Sequence, residues 1–179
     1  MARAAEAITE RTRLTPDFPG PGVLFRDLTP VLAHADTLAQ VAAAMAALGG
    51  PADLVAALEA RGFLFGATTA LAARAGVLPL RKPGKLPGTG TVAVMAQEYR
   101  LEYGTATLEL QPADVSDGAR VLVVDDVLAT GGTAAAAVEL VRRAGGHVTG
   151  VVIAVELAAL GGRARIPDGV PVHAITTVP

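Results

Sequence analysis

The chain has 179 residues, of which 51% are hydrophobic and 18% are charged, so it is a globular protein rather than a disordered one. Its 15 Lys and Arg residues against 17 Asp and Glu give a net charge of −2, which lacks the basic excess of a protein whose main partner is nucleic acid. The lack of cysteine excludes disulfides and thiolate metal sites.

The first residues, MARAAEAITERTRL, carry charges at helical spacing and contain no long apolar stretch. They predict an amphipathic helix that ends before Pro16, and neither a signal peptide nor a membrane anchor, so we expect a cytoplasmic protein. Residues 15–32, TPDFPGPGVLFRDLTPVL, are rich in Pro and Gly and predict no regular structure until Val31. A second helix is expected over residues 36–48, with Gly49 and Gly50 as its cap.

Residues 53–59, DLVAALE, fit a strand or a helix, and we favour a buried strand. A helix is expected in GATTALAARAG (66–76), then a strand in VLPLRK (77–82) and a basic turn in RKPGKLPGTG (81–90). Residues 91–111 predict two antiparallel strands around a mobile loop, and residues 147–157 predict a further strand. This alternation predicts an α/β fold with a mostly parallel sheet flanked by helices, in a single domain over residues 1–179.

The most informative stretch is VLVVDDVLATGGT, residues 121–133. Four apolar residues predict a buried parallel strand, and two carboxylates, Asp125 and Asp126, follow at its carboxyl end. A turn of small residues then opens a helix, AAAAVELVRRA, and its backbone N–H groups and hydroxyls suit a phosphate. The acidic pair can accept hydrogen bonds from vicinal sugar hydroxyls, so the stretch indicates a site for a ribose 5-phosphate. The turn consists of Ala129, Thr130, Gly131, Gly132 and Thr133.

The same pattern allows a plainer interpretation, in which the acidic pair only ends a strand or caps a helix and the glycines only make a turn. No Gly-Lys-Ser/Thr follows the turn, which excludes a Walker loop. The spacing G-x-G-x-x-G is missing as well, which excludes the dinucleotide fingerprint. As a bare pattern, the stretch leaves phosphate binding open.

The full string, however, closely resembles the phosphoribosyl-diphosphate signature of the type I phosphoribosyltransferases. Four further stretches are similar to the members of that family that act on adenine: DFPGPGVLFRDLTPVL (17–32), ARGFLFG (60–66), RKPGKLPG (81–88) and LEYGTATLELQ (101–111). The resemblance implies a homodimer with a mobile catalytic loop and an N-terminal hood that binds the base. It also implies transfer of phosphoribose from 5-phosphoribosyl-1-diphosphate to adenine in purine salvage, giving AMP and pyrophosphate with magnesium. Substrate oxygens and water would hold most of that magnesium, so no protein metal ligand is expected.

The resemblance also implies roles for individual residues. Glu102 would donate a proton or hydrogen bond to the purine, Tyr103 would exclude water, and Arg61 would bind pyrophosphate after a cis peptide. The remaining expected contacts are with the donor, through Asp125, Asp126, Ala129, Thr130, Gly131, Gly132, Thr133, Arg81, Lys82 and Lys85, and with the base, through Leu24, Phe25, Arg26 and Leu157.

The sequence departs from the family pattern at three positions. Glu59 and Ala60 stand where the family commonly has Asp and Ser, and Pro83 stands where a basic residue is frequent. Two other interpretations remain: the same enzyme fold acting on xanthine, hypoxanthine or orotate, or a non-catalytic sensor of the sugar diphosphate that controls transcription. The sensor would need a DNA-binding module and a basic face, and the sequence shows neither.

Overall fold

The structure is a computed structural model that describes residues 1–88, 93–100 and 104–179. Within these ranges the helices and strands alternate along the chain. The helices are α1 (Ala2–Arg11), α2 (Thr29–Leu32), α3 (Ala35–Gly49), α4 (Gly62–Ala73) and α5 (Gly132–Arg143). The strands are β1 (Arg13–Pro16), β2 (Leu24–Asp27), β3 (Leu54–Leu58), β4 (Gly76–Leu80), β5 (Met95–Arg100), β6 (Thr105–Leu110), β7 (Arg120–Leu128), β8 (His147–Leu157) and β9 (Val172–Val178).

The core of the fold is a five-stranded parallel sheet in the order β4-β3-β7-β8-β9. Its central strand, β7, is apolar on both faces because helices cover both sides of a parallel sheet. Val121 and Val123 pack with α5 and the β5–β6 pair, whereas Leu122 and Val124 pack with α1, α3 and α4. All four of these side chains are fully buried, so β7 ties the two halves of the core together.

The strand order brings the carboxyl ends of β3 and β7 side by side. From β3 the chain crosses to β4 on one side, whereas β7 leads to β8 and β9 on the other. Such a reversal opens a crevice outside the carboxyl ends of the two strands, which is where open α/β sheets bind their ligands. The turn after β3 and the turn after β7 therefore face each other across one crevice.

Most of the predicted elements are confirmed, including the strand over residues 53–59 and the antiparallel strands within 91–111. Three predictions were wrong or incomplete. The Pro/Gly-rich passage contains regular structure, because β1 and β2 form an antiparallel hairpin whose prolines lie at its end or in the turn. β7 runs on to Leu128, so Asp125 and Asp126 lie within the strand, and Asp125 pairs with Ile153. β9 was not anticipated.

None of the helices among the described residues has the length and apolar character needed to cross a membrane.

Candidate active site

The turn after β7 forms a small cleft. Gly131 is the N-cap of α5 with φ 80°, and the first N–H groups of a helix have no partner inside that helix. No side chain of the described residues caps α5 in their place. The cleft has a volume of about 70 Å³. Its lining consists of Asp125, Val127, Leu128, Ala129, Thr130, Gly131, Gly132, Thr133 and Ala134.

Glycine is required at this turn because other backbone segments lie against it. A Cβ atom on Gly131 would lie 2.1 Å from the carbonyl oxygen of Gly162, and one on Gly132 would lie 2.8 Å from the carbonyl oxygen of Arg100. Real Cβ atoms do not approach backbone oxygens so closely, and backbone cannot yield as a flexible side chain can. The turn is therefore enclosed by Gly162 on one side and by the end of β5 on the other.

The two aspartates have different surroundings. Asp126 is buried, with 6% of its surface exposed, and its Oδ2 lies 2.6 Å from Nε of Arg61. The N–H does not point at this oxygen, so Oδ2 has an ion-pair partner but no hydrogen-bond donor among the described residues. Asp125 lines the cleft, and its Oδ1 accepts a hydrogen bond from the Asp126 backbone N–H at 2.9 Å. Burial, reinforced by the Asp126 charge, raises the pKa of Asp125 well above its usual value.

Arg61, the predicted pyrophosphate ligand, contacts both a predicted sugar-binding residue, Asp126, and a predicted base-binding residue, Phe25. It occupies the N-cap position of α4, in the turn that follows the end of β3 at Leu58. Its guanidinium carbon lies 5.1 Å from the centre of the Phe25 ring, and its Nε contacts Asp126. Gly62 lets the start of α4 lie against Asp125, because a Cβ there would lie 2.5 Å from Oδ1 of Asp125. The expected cis peptide before Arg61 lies one bond earlier, between Glu59 and Ala60.

The basic turn after β4 is anchored to the same end of the sheet by Glu59. Its Oε2 accepts hydrogen bonds from Nε of Arg81 at 3.0 Å and from the backbone N–H of Lys82 at 2.7 Å. The Lys82 N–H, followed by the Arg81 side chain, lowers the pKa of Glu59, so the carboxylate is charged. Lys85 is exposed. In the sequence, Glu59 stands out only as a departure from the family pattern, and no local pattern predicts its contact with Arg81 and Lys82.

The predicted base-binding residues lie on the hairpin and at the end of β8. The Phe25 ring is half-buried and packs edge-on against Phe18, with ring centres 4.9 Å apart. Leu24 is exposed, Arg26 is half-buried, and Leu157 is half-buried against the core that α3 and α4 share. Among the predicted base-binding residues that the structure describes, Phe25 contacts Arg61.

Glu102 and Tyr103 lie outside the described residues. The strand that precedes them, β5, ends at Arg100 beside Gly132.

Comparison with known proteins adds an independent line of evidence. A family model described as a phosphoribosyl transferase domain matches residues 27–170. The adenine phosphoribosyltransferase of Saccharopolyspora erythraea is 54% identical over 175 residues, which cover 98% of this chain and 91% of that protein.

Two solved structures are similar over nearly the whole chain. The adenine phosphoribosyltransferase of Rhodothermus marinus superposes with a TM-score of 0.90 at 43% identity and covers 99% of this chain and 100% of its own. The enzyme of Saccharomyces cerevisiae, solved with an imino-altritol bisphosphate and adenine, has a TM-score of 0.87 at 35% identity, covering 96% and 98% of the two chains. The chain therefore belongs to the phosphoribosyl transferase family, among the adenine phosphoribosyltransferases.

Proposed function

We propose that residues 1–179 form a single phosphoribosyltransferase domain that transfers the 5-phosphoribosyl group from 5-phosphoribosyl-1-diphosphate to adenine, giving AMP and pyrophosphate. The observation that carries this proposal is the contact of Arg61 with buried Asp126 at the carboxyl ends of β3 and β7. This contact lies next to the turn of residues 129–133, which we call the glycine turn. A cation for the leaving group, carboxylates for the sugar and a turn for the terminal phosphate stand in one crevice.

The glycine turn binds the donor's 5-phosphate. The N–H groups at the start of α5, which have no partner inside the helix, and the positive end of its dipole stabilise a phosphate. Thr130 and Thr133 add hydroxyl donors in the same cleft. Asp125 lines the same cleft and is positioned to accept hydrogen bonds from a ribose hydroxyl. Asp126, the second carboxylate, lies on the side of Arg61.

Arg61 and the basic turn bind the pyrophosphate. The leaving group carries high negative charge, and cations that contact it more strongly in the transition state accelerate the transfer. Arg81 and Lys82 are held near the end of β3 by Glu59, and exposed Lys85 follows them in the chain. We propose that Arg61 exchanges its contact with Asp126 for a diphosphate oxygen, which frees the carboxylate for the sugar.

The residues present fit a magnesium ion that is held mainly by the substrate. Asp126 Oδ2, which lacks a hydrogen-bond donor among the described residues, and the Asp125 carboxylate are the hard oxygen donors that Mg²⁺ prefers. When bound with the diphosphate, magnesium would neutralise charge on the leaving group.

Adenine binds against the hairpin. Phe25 offers an aromatic face for stacking, and Leu157 adds a second apolar wall. Within the part of the chain that the structure describes, β2 pairs with β1 alone, which leaves backbone donors and acceptors on its other edge. An N–H of Arg26 to purine N1 and a C=O to the exocyclic amine would favour adenine, since hypoxanthine reverses both partners.

The reaction also needs an acid and a group that excludes water from the site, and we assign these roles to Glu102 and Tyr103. A carboxyl group near the five-membered ring of the purine stabilises it while N9 attacks C1 of the ribose. Positive charge that develops on the sugar is stabilised by the nearby aspartates.

We propose that the active form is a homodimer in the cytoplasm. An apolar groove of about 420 Å³ lies between α3 and α4, and Leu71 on its rim is 81% exposed. Leu64, on the same helix, is 54% exposed. Apolar surface of this kind marks a protein contact, and α4 begins next to Arg61, so a second copy would approach the pyrophosphate site.

Mixed dimers test the arrangement at Lys85. A dimer is prepared with one Lys85→Ala subunit and one subunit made inactive at Arg61. The intact Arg61 and the intact Lys85 then lie on different subunits. Activity equal to that of a dimer with one unmodified and one Arg61-inactive subunit would show that Lys85 serves the neighbouring site, whereas activity as low as that of Lys85→Ala would show that it serves its own.

The function itself is tested by supplying the protein with adenine, magnesium and the sugar diphosphate and measuring AMP. Adenine should be converted much faster than hypoxanthine, xanthine or orotate. Faster conversion of another base would replace the proposed acceptor. Binding of the diphosphate without turnover, together with a gel shift of DNA that depends on it, would favour the sensor.

A further inference from the structure

An ion pair between a buried carboxylate and a half-exposed guanidinium, outside the crevice, ties the end of β8 to the segment that follows it. Glu156 is only 6% exposed, and its two oxygens accept hydrogen bonds from Nε and Nη2 of Arg163 at 2.6 and 2.7 Å. Arg163 also donates from Nη1 to the carbonyl oxygen of Val172, and Thr177 donates its hydroxyl to Glu156 at 3.2 Å. We call Glu156, Arg163, Val172 and Thr177 the arginine clamp.

The clamp fixes the position of Gly162, the residue before Arg163. Residues 158–171 connect β8 to β9 through two short 3-10 turns, and Arg163 ties this connection to both strands. Gly162 is buried directly before it. A bidentate, charge-assisted pair has a fixed geometry, which a single hydrogen bond would not provide.

The backbone of Gly162 packs directly against the backbone of the glycine turn. A Cβ on Gly162 would lie 2.3 Å from the carbonyl oxygen of Ala129 and 3.0 Å from the backbone nitrogen of Gly131. In the other direction, a Cβ on Gly131 would meet the carbonyl oxygen of Gly162 at 2.1 Å. The two backbones are therefore in direct contact, and a displacement of Gly162 must displace the turn.

We propose that the arginine clamp is a positioning device for the glycine turn: by holding Gly162 in place, Glu156 and Arg163 fix the backbone that receives the 5-phosphate. This proposal rests on the proposed function, because it takes the turn as the 5-phosphate site. Neither residue need touch the substrate. Residues that orient a binding group in this way commonly change its affinity by about 10- to 100-fold, as outer-shell partners of metal ligands do.

Two ligands separate this role from general stability. Ribose 5-phosphate occupies the glycine turn, whereas pyrophosphate is held by Arg61 and the basic turn. In Arg163→Gln we expect the Kd for ribose 5-phosphate and for AMP to rise about 10-fold or more, and the Kd for pyrophosphate to stay within about twofold. The KM for the donor should rise more than kcat falls. Calorimetry of the full chain measures the affinities, and circular dichroism checks the fold.

Two further variants make the result decisive. Arg142→Gln removes an exposed ion pair with Glu139 on α5 and should leave both affinities unchanged. Arg163→Lys keeps the charge but not the bidentate contact, so it serves if Arg163→Gln does not fold, and an intermediate loss of phosphate affinity is expected.

Three outcomes are distinguishable. An equal loss of both affinities in the folded variants would mean that the clamp only stabilises the fold, which would overturn the proposal. Wild-type affinity for ribose 5-phosphate in folded Arg163→Gln, or in Arg163→Lys where that variant alone folds, would overturn it as well. Failure of the unmodified protein to bind ribose 5-phosphate would instead refute the proposed function.

Discussion

Replacement of Gly131 by Ala tests the packing of the glycine turn, and Gly169 provides a matched control. The two glycines have nearly the same backbone angle, φ 80° and 81°, so alanine at either position costs about 1–2 kcal/mol for the left-handed conformation. A Cβ on Gly169 meets nothing within 4 Å, whereas one on Gly131 lies 2.1 Å from the Gly162 carbonyl oxygen. Only Gly131→Ala adds an overpacking cost, which is about 1–3 kcal/mol.

These costs convert into melting temperatures. For a chain of this size, each kcal/mol shifts Tm by about 2–4 °C, so Gly169→Ala should lower Tm by about 2–8 °C. The overpacking should lower Tm of Gly131→Ala by about 2–12 °C more. Scanning calorimetry of both variants measures the difference.

The ligand gives a second measurement. AMP at 100 times its Kd stabilises a binding protein by about 2.7 kcal/mol, so unmodified protein and Gly169→Ala should gain Tm in AMP. Gly131→Ala should gain much less, because the displaced turn no longer presents its N–H groups to the phosphate. Equal losses of Tm in the two variants, together with equal gains in AMP, would refute the argument from the Gly162 contact.

Three further predictions concern the proposed catalytic acid Glu102, the anchor of the basic turn and the ion pair at the amino-terminal end of the sheet. Glu102→Ala should slow the chemical step far more than it weakens donor binding, and unchanged single-turnover rates would remove Glu102 from the mechanism. Glu59→Gln should raise the KM for the donor by about 3- to 10-fold, because the anchor of Arg81 loses its charge; a fall in kcat alone would contradict this role. Hydrogen bonds from Arg120 lower the pKa of Asp53 to about 2 in the folded protein, from about 3.8 in the unfolded chain. The charged pair therefore stabilises the fold above pH 3.8, and this stabilisation is lost as the pH falls toward 2. Asp53→Asn should therefore lower Tm at pH 7, and the difference in Tm from the unmodified protein should vanish between pH 4 and 2 in thermal melts. A difference in Tm that stays constant with pH would argue against the ion pair.

What the sequence determined by itself is the local structure of the site. The apolar run before Asp125, the turn of small residues and the helix that follows are readable because residues adjacent in the chain decide them. The helix after Arg61 is predicted in the same way, whereas residues 53–59 fit a strand or a helix until the sheet places them beside β7. The length of β7 and the hairpin in the Pro/Gly-rich passage were misjudged, since strand pairing depends on a distant partner that no local pattern reveals.

What only the tertiary structure decided is which of these segments meet. Arg61 and Asp126 are far apart in the chain, and their ion pair exists because the sheet places β3 beside β7. The contact of Gly162 with the glycine turn likewise depends on how the β8–β9 connection packs. Propensity and periodicity describe one segment at a time, whereas these contacts are set by the close packing of segments whose neighbours are chosen only when the whole sheet forms.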